Sequence, residues 1–425
     1  MKFNKTVLPN GLRVITVPMR ETLSATVMVL AETGSNYEEG RENGISHLLE
    51  HMVFKGTLRR PGPTDISREL DFLGAESNAF TTFESTGFHA KVDHRNLAAA
   101  LDIIADMYLD PQLDAAELEK EKGVIIEEMR MYRDMPQSEV FDAFIKLVYG
   151  DQPAGRKVIG TEETVRAITA KELDSYRRGR YVAESTVVVV SGGIDEKAVL
   201  TDIERIFARI PTTPKVTKKP VDDNQNEPRV VIADKTTDQT HLILGVRSVP
   251  IGDPRRYPLL ILANLLGGGF SSRLFTTLRD EMGAAYYVYA DNSLYTDHGL
   301  FTVAAGVDNK RVEEIIAVIM KKLTEILNQP ISEAELTKVK NHLSGKIVLS
   351  LETSDELAHY VGADELFEGH IDDPADVLAR IQAVTVEEVS AAARDIFVDH
   401  NLNLALIGPY KAEDAERFKK HLTFR

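Results

Sequence analysis

The sequence predicts an α+β protein that contains two copies of one α+β unit. The chain of 425 residues exceeds what a single hydrophobic core usually organises, so at least two domains are expected. Strand-like and helix-like patterns alternate along the chain. Two stretches of the first half recur in the second half at a nearly constant offset. These three observations together carry the fold prediction.

The repeat is clearest where a helix start precedes an apolar strand. Residues 168–173 (ITAKEL), Tyr181-Val182 and Gly192 match residues 384–389 (VTVEEV), Phe397-Val398 and Gly408, 216 residues later. In addition, residues 114–118 (DAAEL) are echoed by residues 332–336 (SEAEL), each before a long helical pattern. Chance similarity between helix starts is the alternative, but a duplicated unit explains both matches.

The first half begins with strands and then alternates helices with strands. Apolar runs predict strands over residues 7–17, interrupted by the turn Pro9-Asn10-Gly11, and over residues 25–31 and 187–190. The alternation and the Thr/Phe content of residues 78–92 predict a pair of strands. Helical patterns are predicted from about Gly44, over residues 97–108 and over residues 114–132. Asp114 and Glu117 stand at capping-box spacing at the start of the last of these.

A polar segment separates the two copies. Residues 211–228 (PTTPKVTKKPVDDNQNEP) combine prolines with charged and amide side chains and lack apolar periodicity, which is typical of an exposed connector. We therefore predict a first domain over residues 1–210, a linker over residues 211–228 and a second domain over residues 229–425.

Composition restricts the partners and the location. The net charge of −16, from 50 basic and 66 acidic side chains, disfavours nucleic acids and anionic membranes and would attract basic substrates, although an acidic balance also serves solubility alone. Residues 1–20 show no apolar segment of signal-peptide length, and no apolar run reaches transmembrane length. We expect a cytoplasmic protein without a membrane segment.

The absence of cysteine leaves histidine, aspartate and glutamate as ligands for any metal site. Residues 44–57 (GISHLLEHMVFKGT) place His47, Glu50 and His51 on one face of a predicted helix. Two neutral imidazoles at this spacing can chelate zinc, and Glu50 is better placed to take a proton from water than to be a ligand. This motif predicts a metal centre that still requires a third ligand.

The long helix after Asp114 offers carboxylates for that third position. Glu121, Glu127 and Glu128 are the candidates, and Glu121 and Glu128 lie two turns apart on nearly one stripe. Taken alone, this charged stretch is most simply a solvated helix face. Residue spacing by itself therefore leaves the third ligand open.

These motifs resemble those of the pitrilysin, insulinase and mitochondrial processing peptidase family of inverted-motif zinc metallopeptidases, of the short two-domain type. The resemblance covers essentially the whole chain. Residues 47–51 (HLLEH) are similar to the family's metal motif, Glu128 stands 77 residues after His51 at the position of the third ligand, and Glu121 matches a second glutamate that supports the site. The resemblance thus implies zinc on His47, His51 and Glu128, with Glu50 as the base.

The resemblance also assigns different roles to the two copies. It implies half of a peptidase clamshell, made of domains with mostly antiparallel sheets packed with helices, in which only the first copy is catalytic. Residues 262–270 (LANLLGGGF) hold no histidine, and Lys346 occupies the position matching Glu128. Arg279 and Tyr286, which follow a glycine-rich segment, are similar to the family's substrate-holding pair and are expected to steady the developing oxyanion. No Lys-Ser/Thr pair follows Gly267–Gly269, so phosphate binding there is disfavoured.

Substrate binding is predicted at residues 76–81 (ESNAFT), which look like the family's edge strand. Asn78, Ala79 and Phe80 are the predicted substrate-binding residues, because an extended peptide can pair with such a strand through main-chain hydrogen bonds. Without the family context, an ordinary edge strand accounts for these residues equally well.

The predicted function is that of a zinc metalloendopeptidase hydrolysing short or unfolded peptides, with a zinc-bound water activated by Glu50. Larger family members carry four such domains in one chain. The resemblance therefore implies a dimer of this two-domain chain, either a homodimer or a heterodimer with a related subunit, with the site completed in trans. Two alternatives stay open, namely a processing peptidase for one specific leader or presequence and a non-catalytic partner subunit.

Overall fold

A computed structural model of the chain describes residues 1–424 and divides them into two compact units. The first unit consists of Met1–Arg130, Arg156–Lys219 and Val348–Asp373. The second consists of Met131–Gly155, Pro220–Ile347 and the chain from Pro374 onward. Each unit therefore takes up a short segment from the other half of the sequence.

The first unit contains a six-stranded sheet with the strand order β1-β2-β6-β3-β5-β4. Neighbouring strands are antiparallel except β2 and β6, which run parallel. Strand β4 forms one edge and has exposed residues at its start, whereas β6 is buried along its whole length. The strands are β1 Asn4–Val7, β2 Arg13–Pro18, β3 Ser24–Ala31, β4 Glu76–Thr81, β5 Thr86–Asp93 and β6 Thr186–Gly192.

Helices cover both faces of this sheet, because side chains alternate between the faces along each strand. One face of the sheet packs against helices that precede residue 210 and forms the larger core, which includes Val27, Val29 and Val188. The other face packs against α13 and forms a smaller core, which includes Met28 and Val189. The helices are α1 Ile45–Met52, α2 Asp65–Phe72, α3 Leu97–Leu109, α4 Ala115–Arg133, α6 Glu162–Ala167, α7 Ala170–Arg180, α8 Glu196–Ile206 and α13 Ser354–Glu368.

The second unit contains a five-stranded sheet with the order β7-β11-β8-β10-β9. Only β7 and β11 are parallel, and the other neighbours are antiparallel. Strand β10 is buried over nearly its whole length, while β9 forms an edge with several exposed side chains. The strands are β7 Arg229–Asp234, β8 Gln239–Ser248, β9 Ala285–Leu294, β10 Gly299–Asp308 and β11 Asn403–Gly408.

Most helices of the second unit share one core with the sheet, and α5 packs against β7, β8 and β11. Helix α10 continues directly into a π-helix over Thr276–Glu281. The helices are α5 Pro136–Tyr149, α9 Arg256–Gly267, α10 Arg273–Phe275, α11 Val312–Asn328, α12 Glu333–Leu349, α14 Pro374–Ala383, α15 Val386–Ile396 and α16 Ala415–Lys419.

Both sequence matches fall on equivalent elements of the two units. Helices α7 and α15 each begin with a Thr/Glu capping box and lead into a buried strand, β6 in the first unit and β11 in the second. Helices α4 and α12 begin after Asp114 and Ser332, whose side chains each accept a hydrogen bond from a backbone N–H of the first turn. The predicted fold class, two α+β domains with mostly antiparallel sheets, is confirmed.

The two units exchange equivalent helices. Helix α5 follows α4 in the first half but packs on the second sheet, and α13 follows α12 in the second half but packs on the first sheet. The sequence-based ranges placed α5 in domain 1–210 and α13 in domain 229–425. The structure assigns each helix to the other unit, since each buries its apolar face there. Residues 211–228 form no helix or strand.

Among the described residues, no helix is both long enough and apolar enough to cross a membrane.

Candidate metal centre

Helix α1 has an apolar face that is buried and a second face that carries ionisable side chains. Leu48, Leu49 and Met52 are fully buried in the core of the first unit. His47, Glu50 and His51 occupy the remaining face and are half-buried. The i, i+4 spacing brings the two imidazole rings to a centroid distance of 4.7 Å. The helix thus presents two imidazoles and a carboxylate together.

Helix α4 brings a carboxylate to these imidazoles. Oε2 of Glu128 lies 3.8 Å from Nε2 of His47 and 3.6 Å from Nε2 of His51. One ligand atom from each of the three residues lies within 4.8 Å of the others. Glu127, the other candidate, is exposed and pairs with Arg130, as expected for a solvated face.

The three residues fit a zinc ion. Two ligands at about 2.0–2.2 Å from one tetrahedral zinc lie about 3.3 Å apart, close to the separations observed here. Within residues 1–424, the buried Oε2 of Glu128 has no hydrogen-bond partner, and neither has Nδ1 of His47. A buried carboxylate oxygen is costly without a partner, and a cation between it and the imidazoles would remove that cost.

Glu121 orients His51 from the opposite side of the ring. Its Oε2 lies 3.3 Å from Nδ1 of His51, while its Oε1 forms a 2.7 Å ion pair with Lys55. A carboxylate on the second nitrogen of a metal-binding histidine fixes the tautomer that leaves the other nitrogen free for the metal. Glu121 is therefore placed to orient His51 and not to be a ligand itself.

Glu50 is anchored to the edge strand. The hydroxyl of Thr81 on β4 donates a 2.6 Å hydrogen bond to Oε2 of Glu50. This bond limits the rotation of the Glu50 carboxylate and connects it to the strand predicted to bind substrate. No sequence motif singles out Thr81, although its position two residues after Ala79 places it on the same face of the predicted substrate strand.

Burial and neighbouring charges shift the pKa values of His47, His51 and Glu50. Burial, aided by the His51 ring, lowers the pKa of His47 to about 4, which favours the neutral, metal-binding form at pH 7. Burial also lowers the pKa of His51, but the bond with Glu121 and the charges of Glu50 and Glu128 outweigh burial and raise that pKa overall. Burial raises the pKa of Glu50, opposed by the Thr81 hydrogen bond and by His51.

The predicted substrate strand lies at the edge of the first sheet. Asn78 is exposed, and its side-chain oxygen accepts a hydrogen bond from the backbone N–H of Ala79. Phe80 lies on the face opposite to Ala79 and Thr81, and its ring lies 5.3 Å from that of His359 on α13. An edge strand of this kind can accept an additional strand, so substrate binding here stays a prediction.

Arg279 and Tyr286 lie in the second unit. A guanidinium nitrogen of Arg279, on the π-helix, donates a 3.1 Å hydrogen bond to the backbone oxygen of Tyr286 at the start of β9. The same guanidinium lies 5.1 Å above the ring of Phe275. Both side chains are exposed, and their role toward substrate stays a prediction.

Two family models match separate parts of the chain. The model of the insulinase family, peptidase family M16, matches residues 13–162, which contain His47, His51 and Glu128. The model of the peptidase M16 inactive domain matches residues 167–343. The fold and the site therefore define a chain of the M16 peptidase type, with the candidate metal-binding residues in the first half.

Curated relatives cover nearly the full chain. An uncharacterized zinc protease of Streptomyces coelicolor is 35% identical over 422 residues, spanning 97% of this chain and 91% of the relative. The uncharacterized zinc protease YmxG of Bacillus subtilis is 35% identical over 402 residues, spanning 94% of this chain and 97% of the relative. The chain belongs to the insulinase family of peptidases, M16.

Solved structures share the fold over nearly the whole chain. A protease from Helicobacter pylori has a TM-score of 0.88 at 25% identity and covers 96% of this chain and 100% of its own. A peptidase M16 inactive domain from Pseudomonas fluorescens has a TM-score of 0.89 at 19% identity, covering 97% and 99% of the two chains, and indicates the fold alone.

Proposed function

We propose that this protein is a zinc-dependent endopeptidase that hydrolyses short or unfolded peptides. The observation that carries the proposal is the convergence of Nε2 of His47, Nε2 of His51 and Oε2 of Glu128 beside the carboxylate of Glu50. The relatives named zinc proteases, matched over nearly the whole chain, support the same assignment.

His47, His51 and Glu128 would hold the metal. Zinc in such a site supplies a Lewis acid that polarises the scissile carbonyl and makes water a better nucleophile at neutral pH. His47 and His51 would hold the metal in their neutral forms, and the contact of Glu121 with Nδ1 favours the tautomer of His51 that leaves Nε2 free. Glu128 would contribute a negative charge that partly balances the ion.

Glu50 moves the proton. Its carboxylate accepts a proton from the attacking water and passes it to the nitrogen of the leaving amine. Burial raises the pKa of Glu50, which strengthens it as a base and makes its protonated form a usable acid. The hydrogen bond from Thr81 keeps the carboxylate in place through both transfers.

Substrate is held by main-chain contacts in this proposal. An extended peptide pairs with the free edge of β4 at Asn78, Ala79 and Phe80, so that backbone recognition leaves side-chain preference loose. Arg279 and Tyr286 hold the substrate carbonyl and stabilise the developing oxyanion, a role that rests on the family resemblance.

We also propose that the chain acts as a homodimer whose site is completed in trans. Subunits carrying Glu50→Gln, mixed with subunits carrying Arg279→Ala, then regain activity above that of either variant alone. Failure to regain activity in mixed dimers that have exchanged subunits would contradict shared sites.

Cleavage of a mixed peptide library tests the catalytic proposal. The wild-type protein with zinc is expected to cut peptides at many sequences, and a chelator or the Glu50→Gln substitution is expected to abolish cutting. Cutting at a single sequence would indicate a processing peptidase instead. The absence of bound zinc from purified protein, together with no cutting, would indicate a non-catalytic subunit.

A further inference from the structure

The helix that carries the two histidines begins without a cap of its own. Helix α1 starts at Ile45, after Gly44, which has a φ of +95° and no side chain to accept hydrogen bonds. The first backbone N–H groups of a helix have no partner within the helix. His47 is the third residue of α1, so its backbone lies in this first turn. The position of its imidazole therefore depends on how that turn is held.

Glu38 supplies the missing cap from outside the helix. Its Oε2 accepts a 2.8 Å hydrogen bond from the backbone N–H of Gly44, and its Oε1 accepts one of 2.9 Å from the backbone N–H of Ser46. The side chain of Asn43 donates a third bond, of 3.0 Å, to Oε2. Glu38 is only 2% exposed, and this burial raises the pKa of its carboxyl against the effect of the three donors.

The same turn is also tied through a side chain. Oγ of Ser46 lies 2.8 Å from the hydroxyl of Tyr176 on α7, and that hydroxyl lies 3.0 Å from Oγ1 of Thr33. All three groups are buried. Two sets of hydrogen bonds therefore hold the first turn of α1. Its backbone N–H groups bond to Glu38, and the Ser46 side chain bonds to Tyr176 of α7. Together they restrict the orientation of this turn.

We propose that Glu38 is a positioning residue of the metal centre, holding the first turn of α1 so that Nε2 of His47 faces Glu128. This inference rests on the proposed function. Glu38 acts through the backbone of Gly44 and Ser46, so its removal changes the metal centre without removing a ligand.

The chemistry requires a carboxylate of this length. Three N–H donors converge on the two oxygens of Glu38, and a glutamine would turn its own NH₂ group toward at least one of them. An aspartate keeps the charge but is one methylene shorter, so it cannot reach Gly44 and Ser46 in the same way. Glu38→Gln therefore tests the loss of a hydrogen-bond acceptor, and Glu38→Asp tests the shortening of the side chain.

The experiment compares Glu38→Gln with Glu39→Gln, the same change at the neighbouring exposed residue, which pairs with Lys219. Zinc affinity is measured on each folded apo protein by competition with a chelator, and amide hydrogen exchange is followed at residues 44–48. We expect Glu38→Gln to lose about 10–100-fold in zinc affinity, with faster exchange at Gly44 and Ser46, and Glu39→Gln to remain within about twofold of wild type.

The outcomes separate this inference from the proposed function. If the wild-type protein binds no zinc, the proposed function fails, and unchanged exchange at Gly44 and Ser46 in Glu38→Gln would overturn the capping role as well. An unchanged zinc affinity in Glu38→Gln overturns the inference. If the unfolding temperature falls while the zinc affinity stays unchanged, Glu38 has a purely structural role. If Glu38→Gln does not fold, Glu38→Asp decides, because weaker zinc binding supports the inference and unchanged binding refutes it.

Discussion

Nδ1 of His51 lies 3.3 Å from Oε2 of Glu121, on the side of the ring opposite to the nitrogen that faces Glu128. Glu121→Gln replaces a charged acceptor by an amide that can turn either its oxygen or its NH₂ group to the ring, so the tautomer of His51 is less well fixed. We expect zinc affinity to fall by about 10–100-fold, measured by chelator competition. Glu119→Gln, an exposed change on the same helix, should leave the affinity unchanged. Equal losses in both variants would argue against an orienting role.

Thr81 should matter for turnover more than for metal binding. Thr81→Val removes the hydroxyl that donates to Glu50, and we expect kcat/KM to fall about tenfold, equivalent to about 1.4 kcal/mol, while zinc content is retained. Thr81→Ser keeps a hydroxyl and should recover most of the activity. Loss of activity in both variants would place the effect in the strand and not in the hydrogen bond.

An ion pair in the second unit gives a pH-dependent stability. The Arg273 guanidinium, together with Ser332, lowers the pKa of Glu335 to about 2, below its unfolded value of 4.5. This stabilisation is fully present above pH 4.5 and is lost as the pH falls through about 2. Because the pair is partly exposed, we expect Glu335→Gln to lower the free energy of unfolding by up to about 1 kcal/mol at pH 7.

Urea unfolding of wild type and Glu335→Gln at pH 7 and pH 3 measures this contribution. The difference between the two proteins should shrink by about half at pH 3. Glu333→Gln, an exposed residue of the same helix, provides the control and should show no such change. A difference that grows toward low pH would have the wrong sign for a lowered pKa.

Close packing of the exchanged helix α5 depends on Gly245 of β8. A Cβ atom at Gly245 would lie 2.5 Å from the backbone oxygen of Phe301 and 2.9 Å from the ring of Phe144. We therefore expect Gly245→Ala to destabilise the second unit by about 1–3 kcal/mol in denaturant unfolding. Gly345→Ala, in α12, meets nothing within 4 Å and should stabilise by up to about 1 kcal/mol. Stabilisation by both changes would refute the packing argument.

Local periodicity was enough to predict the elements and part of the metal centre. His47, Glu50 and His51 could be placed together from the sequence because i, i+3 and i+4 neighbours share a helix face whatever the tertiary structure. Glu128 could not be chosen from spacing alone, since its approach depends on how α4 packs. It was selected only by resemblance to the peptidase family.

The remaining features depend on contacts between distant residues. Thr81 reaches Glu50, and Glu38 reaches Gly44 and Ser46, only because of how β4 and the segment after β3 lie beside α1. The sequences of helices α5 and α13 do not show which sheet each helix contacts, so the sequence-based ranges place each with its chain neighbours. A pattern specifies that a face is buried, but it does not specify the partner.

The exchange of α13 has a consequence for how the protein is made. The sheet face formed by Met28 and Val189 is covered by residues 354–368, which are synthesised after more than four-fifths of the chain. During translation, the histidine-bearing unit emerges early but keeps an apolar surface open until these late residues arrive. Its maturation is thereby coupled to completion of the polypeptide, and a truncated product would expose that surface to aggregation or to proteolysis.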